Sequence, residues 1–194
     1  DPDVVRMTKE ALQSDDVERS LNLLRSIGFA NVDELPEKLE FLFAADLETR
    51  QAARDVLARS SGQEIRDAVA DKLLAILNDP NQSTRHVDAI RALAMVSSSV
   101  RPNPHGHHIS QDKRREIIDS LYRVAREGAT ELFVPAVAAS HLFLIDPDIQ
   151  PVLESSLSGE RKKLLEESKQ QIEEEKQSLL KGTALGEQRG GGFF

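Results

Sequence analysis

The stretch "SGQEIRDAVADKLLAILND", residues 61–79, limits what this chain can fold into more than any other. Ile65, Val69, Leu73 and Ile76 fall on one stripe at helical spacing, with Ala68 and Leu77 beside it. Arg66, Asp67, Asp71 and Lys72 lie largely off that stripe. Steps of three and four residues line one face of a 3.6-residue helix and would scatter over both faces of a strand. Leu74-Ala75-Ile76-Leu77 alone would suit a strand, but the helical phase holds across the whole stretch and predicts a helix over 63–78.

The same period recurs along the chain, and polar caps, prolines and glycines divide it into helices. Asp3 and Asp15 or Asp16 cap two short helices, near 4–13 and 16–27, and Gly28 closes the second. Pro36 suits the first turn of a third helix near 35–44. Asp46 opens a fourth that reaches Arg59, and Gly62 separates it from the helix at 63–78. Asn78-Asp79-Pro80-Asn81 is a turn, after which a sixth helix runs from about Ser83 to Ser97. Ser110 caps a seventh, to about Arg126, and Gly128 breaks it. The eighth, near 132–145, is apolar nearly all round and belongs at the centre of its packing. Asp146-Pro147-Asp148 ends it, and Pro151 opens the last helical region. The chain reads as all-α, with at least eight helices and with 46–59 and 63–78 packed antiparallel.

Three of these segments can be laid over one another: "DDVERSLNLLRSI", "DLETRQAARDVLA" and "NQSTRHVDAIRAL". Each has polar caps, then an arginine (Arg19, Arg50, Arg85), then small or aliphatic residues at helical spacing. A second helix lies between successive arginines, which is the layout of a helical repeat. Asp46…Arg50…Ala53…Leu57 and Asp79-Pro80…Arg85…Ala89…Leu93 resemble the first-helix pattern of HEAT repeats, whose design is shared with armadillo repeats. The resemblance is clearest over 46–127 and looser over 15–45 and 130–157. It implies antiparallel helix pairs stacked as a short right-handed α-solenoid, a curved surface that grips a protein or peptide, and arginines that serve packing between repeats. A non-repeating bundle that reuses the same capping chemistry is the competing architecture.

The C-terminal part changes character. "GERKKLLEESKQQIEEEKQSLLKG" carries six acidic and six basic residues, and its aliphatic residues Leu165, Ile172 and Leu179 recur every seven. One apolar residue per heptad is too thin for a strong coiled coil. Arg161, Lys162 and Lys163 oppose the macrodipole of any helix that begins at Gly159. The expected arrangement is therefore a helix that starts near Pro151 and runs on through Gly159. Residues 1–157 read as a helical-repeat domain, 158–181 as a long charged helix, and 182–194 as a flexible glycine-rich tail.

Composition narrows the function. The chain has 194 residues, no cysteine and a formal net charge of -8. Without cysteine there is no disulfide framework, thiolate zinc site or thiol catalysis. An acidic surface repels phosphate backbones, so no nucleic-acid partner is expected. No stretch approaches the ~20 apolar residues that span a bilayer, so membrane insertion is not expected either. The chain opens on Asp1-Pro2-Asp3 without a methionine or apolar leader, as a trimmed or processed chain would. A cytoplasmic location fits the missing cysteines.

Two segments carry the candidate sites. "PNPHGHH" holds His105, His107 and His108, three of the five histidines. They could offer imidazoles to zinc, nickel or copper, with Asp112 or Glu116 as a carboxylate nearby. Adjacent His107 and His108 do not easily point at one ion, and no helical spacing fixes a ligand geometry, so a polar connector is the plainer reading. His86 and His141 sit in helices as surface or boundary residues. Phe193 and Phe194, on a glycine tether, look like a short anchor for a partner's pocket; a plain tail is the alternative. There is no nucleophile elbow, phosphate loop or calcium loop. The sequence thus points to a non-enzymatic protein-binding scaffold or adaptor without a cofactor. The alternative is an enzyme of the HEAT-like class, or weak metal binding at the histidine loop.

Overall fold

The structure is a computed structural model. It describes residues 2–14, 16–29, 31–59, 62–97, 109–127, 133–157 and 159–167, with 170, 173, 174 and 177 beyond them. Among these residues there are ten α-helices, three short 3-10 segments and no strand. Close approaches divide the chain into two compact units, Asp1–Ile117 and Ile118–Phe194.

The first unit contains α1 (Pro2–Leu12), α2 (Val17–Ile27), α3 (Leu35–Leu39), α4 (Leu47–Ala58), α5 (Gln63–Asn78), α6 (His86–Ser97) and the first part of α7 (Gln111–Glu127). Capping explains where they start and stop. Asp16 Oδ1 accepts the Arg19 N–H at 3.0 Å, and Asp46 Oδ1 accepts the Thr49 N–H at 2.6 Å. Gly28 closes α2 at φ 53, a left-handed conformation that costs glycine nothing. The expected third helix is shorter than its sequence suggested. After Leu39 the backbone tightens into a 3-10 segment, Glu40–Phe43, in which the consecutive Phe41 and Leu42 are both wholly buried. The start of α6 is likewise later than expected. Asp79 accepts from the Asn81 N–H, Asn81 Nδ2 and Gln82 Nε2, and this holds Pro80–Arg85 as a 3-10 turn ahead of the helix.

α2 packs on α4 and α4 on α6, while α1 lies against α2 and α5 against α6. The close pairing expected between α4 and α5 is not among these main contacts. α4 buries only Thr49, Ala53 and Leu57, a single line at four-residue spacing, and its nearest neighbours are α2 and α6. α5 is as predicted in extent and differs in which face it buries. Ile65, Val69 and Leu73 are in the core, joined by Ala70, Leu74 and Leu77, whereas Ile76 is only half-buried. Arg66, assigned to the polar side of the helix, is buried too. Its guanidinium donates to Ala58 O at 2.9 Å and Val96 O at 3.3 Å, carbonyls in the last turns of α4 and α6. Those carbonyls have no partner further along their own helices, and a cation offsets the negative end of the helix dipole. A buried arginine is thus a packing element of this core.

The second unit contains the rest of α7, α8 (Phe133–Ile145), α9 (Ile149–Ser156) and α10 (Gly159–Glu167). Every residue from Ala136 to Phe143 is buried, as an all-round apolar helix requires. His141, expected at a boundary, is wholly buried among them. Its Nδ1 lies 2.9 Å from Val137 O and 3.0 Å from Ser140 Oγ, so a carbonyl one turn back satisfies a ring nitrogen that sequence placed near water. The helix expected to run through Gly159 is instead two helices. Leu157 is extended (φ -86, ψ 139) with its side chain buried, and Gly159 takes φ 57. Burial of Leu157 outweighs the unfavourable placement of Arg161, Lys162 and Lys163 in the first turn of α10.

Candidate functional site

The residues first singled out for chemistry, His105, His107 and His108, lie outside the described residues, as do Phe193 and Phe194. Among the described residues no group of three or more histidine, aspartate or glutamate side chains could hold a metal ion. His86 is half-buried on α6 with Nε2 at 3.1 Å from Asp79 O, so it braces the preceding turn. No described helix is long and apolar enough to cross a membrane.

The three repeat arginines have different partners. Arg19 is largely exposed and reaches Glu10 Oε2 at 3.4 Å, from α2 to α1. Arg50 donates from Nη1 to Ala44 O and Ala45 O, at 2.7 and 2.8 Å, and so fastens the loop that leads into its own helix. Arg85 spans the largest gap in sequence, to Glu40, and its guanidinium lies 4.8 Å over the Phe43 ring. Each contact ties one helical element to another or to its own connection, which is packing work.

The main charged cluster in the first unit is centred on Asp88 of α6. Arg54 Nη1 donates to Asp88 Oδ1 at 3.0 Å; Arg50 Nε lies 3.5 Å from Oδ2, and Arg91 Nη1 lies 3.9 Å from Oδ1. Arg50 and Arg54 are one turn apart on α4, and Asp88 and Arg91 are one turn apart on α6. Three guanidiniums therefore gather on one carboxylate in the seam between two helices. Burial pushes the Arg54 guanidinium below its ordinary pKa and the neighbouring Arg91 and Arg50 add to that, while Asp88 opposes it. The sequence reading missed this cluster. The signal was present in the i, i+4 spacing of Arg50 and Arg54, but Asp88 is 34 residues from Arg54 and only the α4–α6 contact brings them together.

A second polar face runs along α5. Asp67 Oδ1 accepts the Ser110 N–H at 2.9 Å, and Lys113 bridges Asp71 and Glu116. The hydrogen bond from Lys113 to Asp71, with Glu116 adding to it, raises the lysine pKa. These contacts seat the start of α7 on α5. The groove beside them is lined by Val32, Gln63, Glu64 and Ala68 with the two aspartates. Another shallow groove, between α1 and α2, includes Met7, Arg19, Asn22 and Leu23.

No protein-family model, curated protein or solved structure matches this chain.

Proposed function

We propose that this protein is a non-enzymatic protein-interaction scaffold or adaptor of the HEAT or armadillo-like type, with residues 1–157 stacked as a short right-handed α-solenoid. The observation that carries the reading is the succession α2, α4, α6, each helix packed on the next. In a solenoid, a helix pair cannot bury its apolar face alone and does so against its neighbours. Arg50 and Arg85, the arginines of the two best-matched segments, make contacts that join elements, the structural role implied by the resemblance. The resulting row presents side chains from several helices to a partner, and binding a protein or peptide is the function such a surface serves.

Affinity purification of the full-length protein from its native source tests this reading. A protein partner retained in fixed stoichiometry through a salt wash is the expected result. Recovery of the chain alone, together with turnover of a small substrate that depends on a bound metal, would overturn it.

A further inference from the structure

Two residues hold α9 and α10 as separate helices. Leu157 is extended between them and only 7% exposed, and Gly159 has φ 57, in the left-handed region. A Cβ added at Gly159 would meet nothing within 4 Å, so glycine is needed there for its backbone conformation and not for space. The break also has a cost. It sets Arg161, Lys162 and Lys163 near the positive end of the α10 dipole, and the sequence offers only Glu160 beside them as a counter-charge. On either side of the break, Leu153 anchors α9 and Leu165 anchors α10.

The same residues suit a second arrangement. With residues 157–159 turned helical, Leu153, Leu157 and Leu164 would fall on one stripe, at steps of four and seven. Leu157 would then lie one turn beyond the buried Leu153, on the same side of the helix. The cations would pass from a helix start to a helix interior, beyond the reach of the end charge. Against this stand the loss of the place held by Leu165 and the cost of a glycine inside a helix. We propose that residues 157–159 form a conformational switch. A broken form, with α9 and α10 separate, exchanges with a joined form in which 149–167 is one helix. The switch sets the direction in which the chain beyond 159 leaves α9, and it does not depend on what residues 1–157 bind. Salt screens the repulsion between the cations and the dipole, so low ionic strength favours the joined form.

The test reads the Cα carbon shifts of the full-length, isotope-labelled chain by NMR, because an extended and a helical Leu157 shift in opposite directions from random coil. In the wild type, saturation-transfer experiments should find a minor species with a helical Leu157, more populated at low ionic strength. Gly159→Ala penalises the positive φ and removes the glycine cost inside a helix. It should raise the ratio of joined to broken form about tenfold or more. A Leu157 that stays extended in this variant overturns the switch. So does a variant in which 157–167 takes random-coil shifts, since α10 would then melt instead of joining α9. Should the variant fail to fold, the wild type decides, and the absence of any helical species at low ionic strength overturns the switch.

Discussion

Arg85 and Glu40, 45 residues apart in sequence, form a two-pronged ion pair in which Nη1 and Nη2 donate to Oε1 and Oε2 at 2.9 and 2.8 Å. Both side chains are more than a third exposed, so solvent screens much of the attraction. The fork geometry and the Phe43 ring beneath it add to the contact. Arg85→Ala should therefore destabilise the protein by about 1 kcal/mol. Arg85→Lys should recover only part of this, because an ammonium cannot make the fork. Urea denaturation of the two variants and of Glu40→Gln, arranged as a double-mutant cycle, measures the coupling; a value of zero would remove this pair from the packing.

A more consequential pair is Lys38 and Glu34, joined at 2.8 Å with the lysine side chain only 2% exposed. Lys38 Nζ also lies 3.4 Å from Ile27 O, at the end of α2. Lys38→Ala should cost about 1.5–3 kcal/mol, because Glu34 loses a charge-assisted hydrogen bond inside the packing. The pair also sets a pH dependence. The hydrogen bond from Lys38 holds the Glu34 carboxyl below its ordinary value of 4.5. A depressed carboxyl pKa gives stability that is present above the unfolded value and lost as pH falls through the folded one. Wild-type stability should drop below about pH 4.5, and Glu34→Gln should show a shallower acid slope. Equal slopes would contradict this account of the pair.

Arg66→Met should cost about 2–3 kcal/mol although it replaces a charge with an apolar side chain of similar length. It leaves carbonyls of Ala58 and Val96 without their donor. A variant as stable as wild type would show that water takes over that role.

Leu73 is wholly buried on α5, and Leu73→Ala should cost ~2–5 kcal/mol in chemical denaturation. Ile76→Ala should cost less, since that side chain is only half-buried. The reverse order would mean that the face of α5 is wrongly assigned.

Helix positions were legible because caps and periodicity are local: Asp16, Asp46 and Gly28 act on residues within a turn or two of themselves. The all-round apolar character of α8 was equally local, and its burial followed. What sequence could not supply was the set of neighbours of each helix. Arg66 looked like a surface residue because its carbonyl partners lie 8 and 30 residues away, on two other helices. His141 was misjudged for the opposite reason, since the Val137 carbonyl that partners its Nδ1 is four residues back on the same helix and reduces the cost of burial. The break before Gly159 turned on whether Leu157 found a place in the core, which no local signal encodes. The Asp88 cluster was hidden in the same way, as a product of the α4–α6 contact.

The histidine-rich segment at 105–108 gives a further prediction. If it is only a polar connector, replacing His105, His107 and His108 together by Asn should leave stability nearly unchanged, within about ±0.5 kcal/mol for each substitution. A metal bound to the folded state would add stability by mass action, and a chelator would then lower the melting temperature of the wild type but not of the variant. No chelator effect is expected. A stoichiometric metal that survives dialysis and is lost in the variant would favour the metal-dependent alternative.

The scaffold proposal requires that helices within the first 157 residues hold a protein partner. Hydrogen–deuterium exchange on the native complex, compared with the free full-length chain, tests it most directly. The account predicts slowed exchange in α4 and α6, with the complex dissociating as exchange there returns to the free rate. Protection confined to residues beyond 157, or none anywhere in a stoichiometric complex, would contradict it.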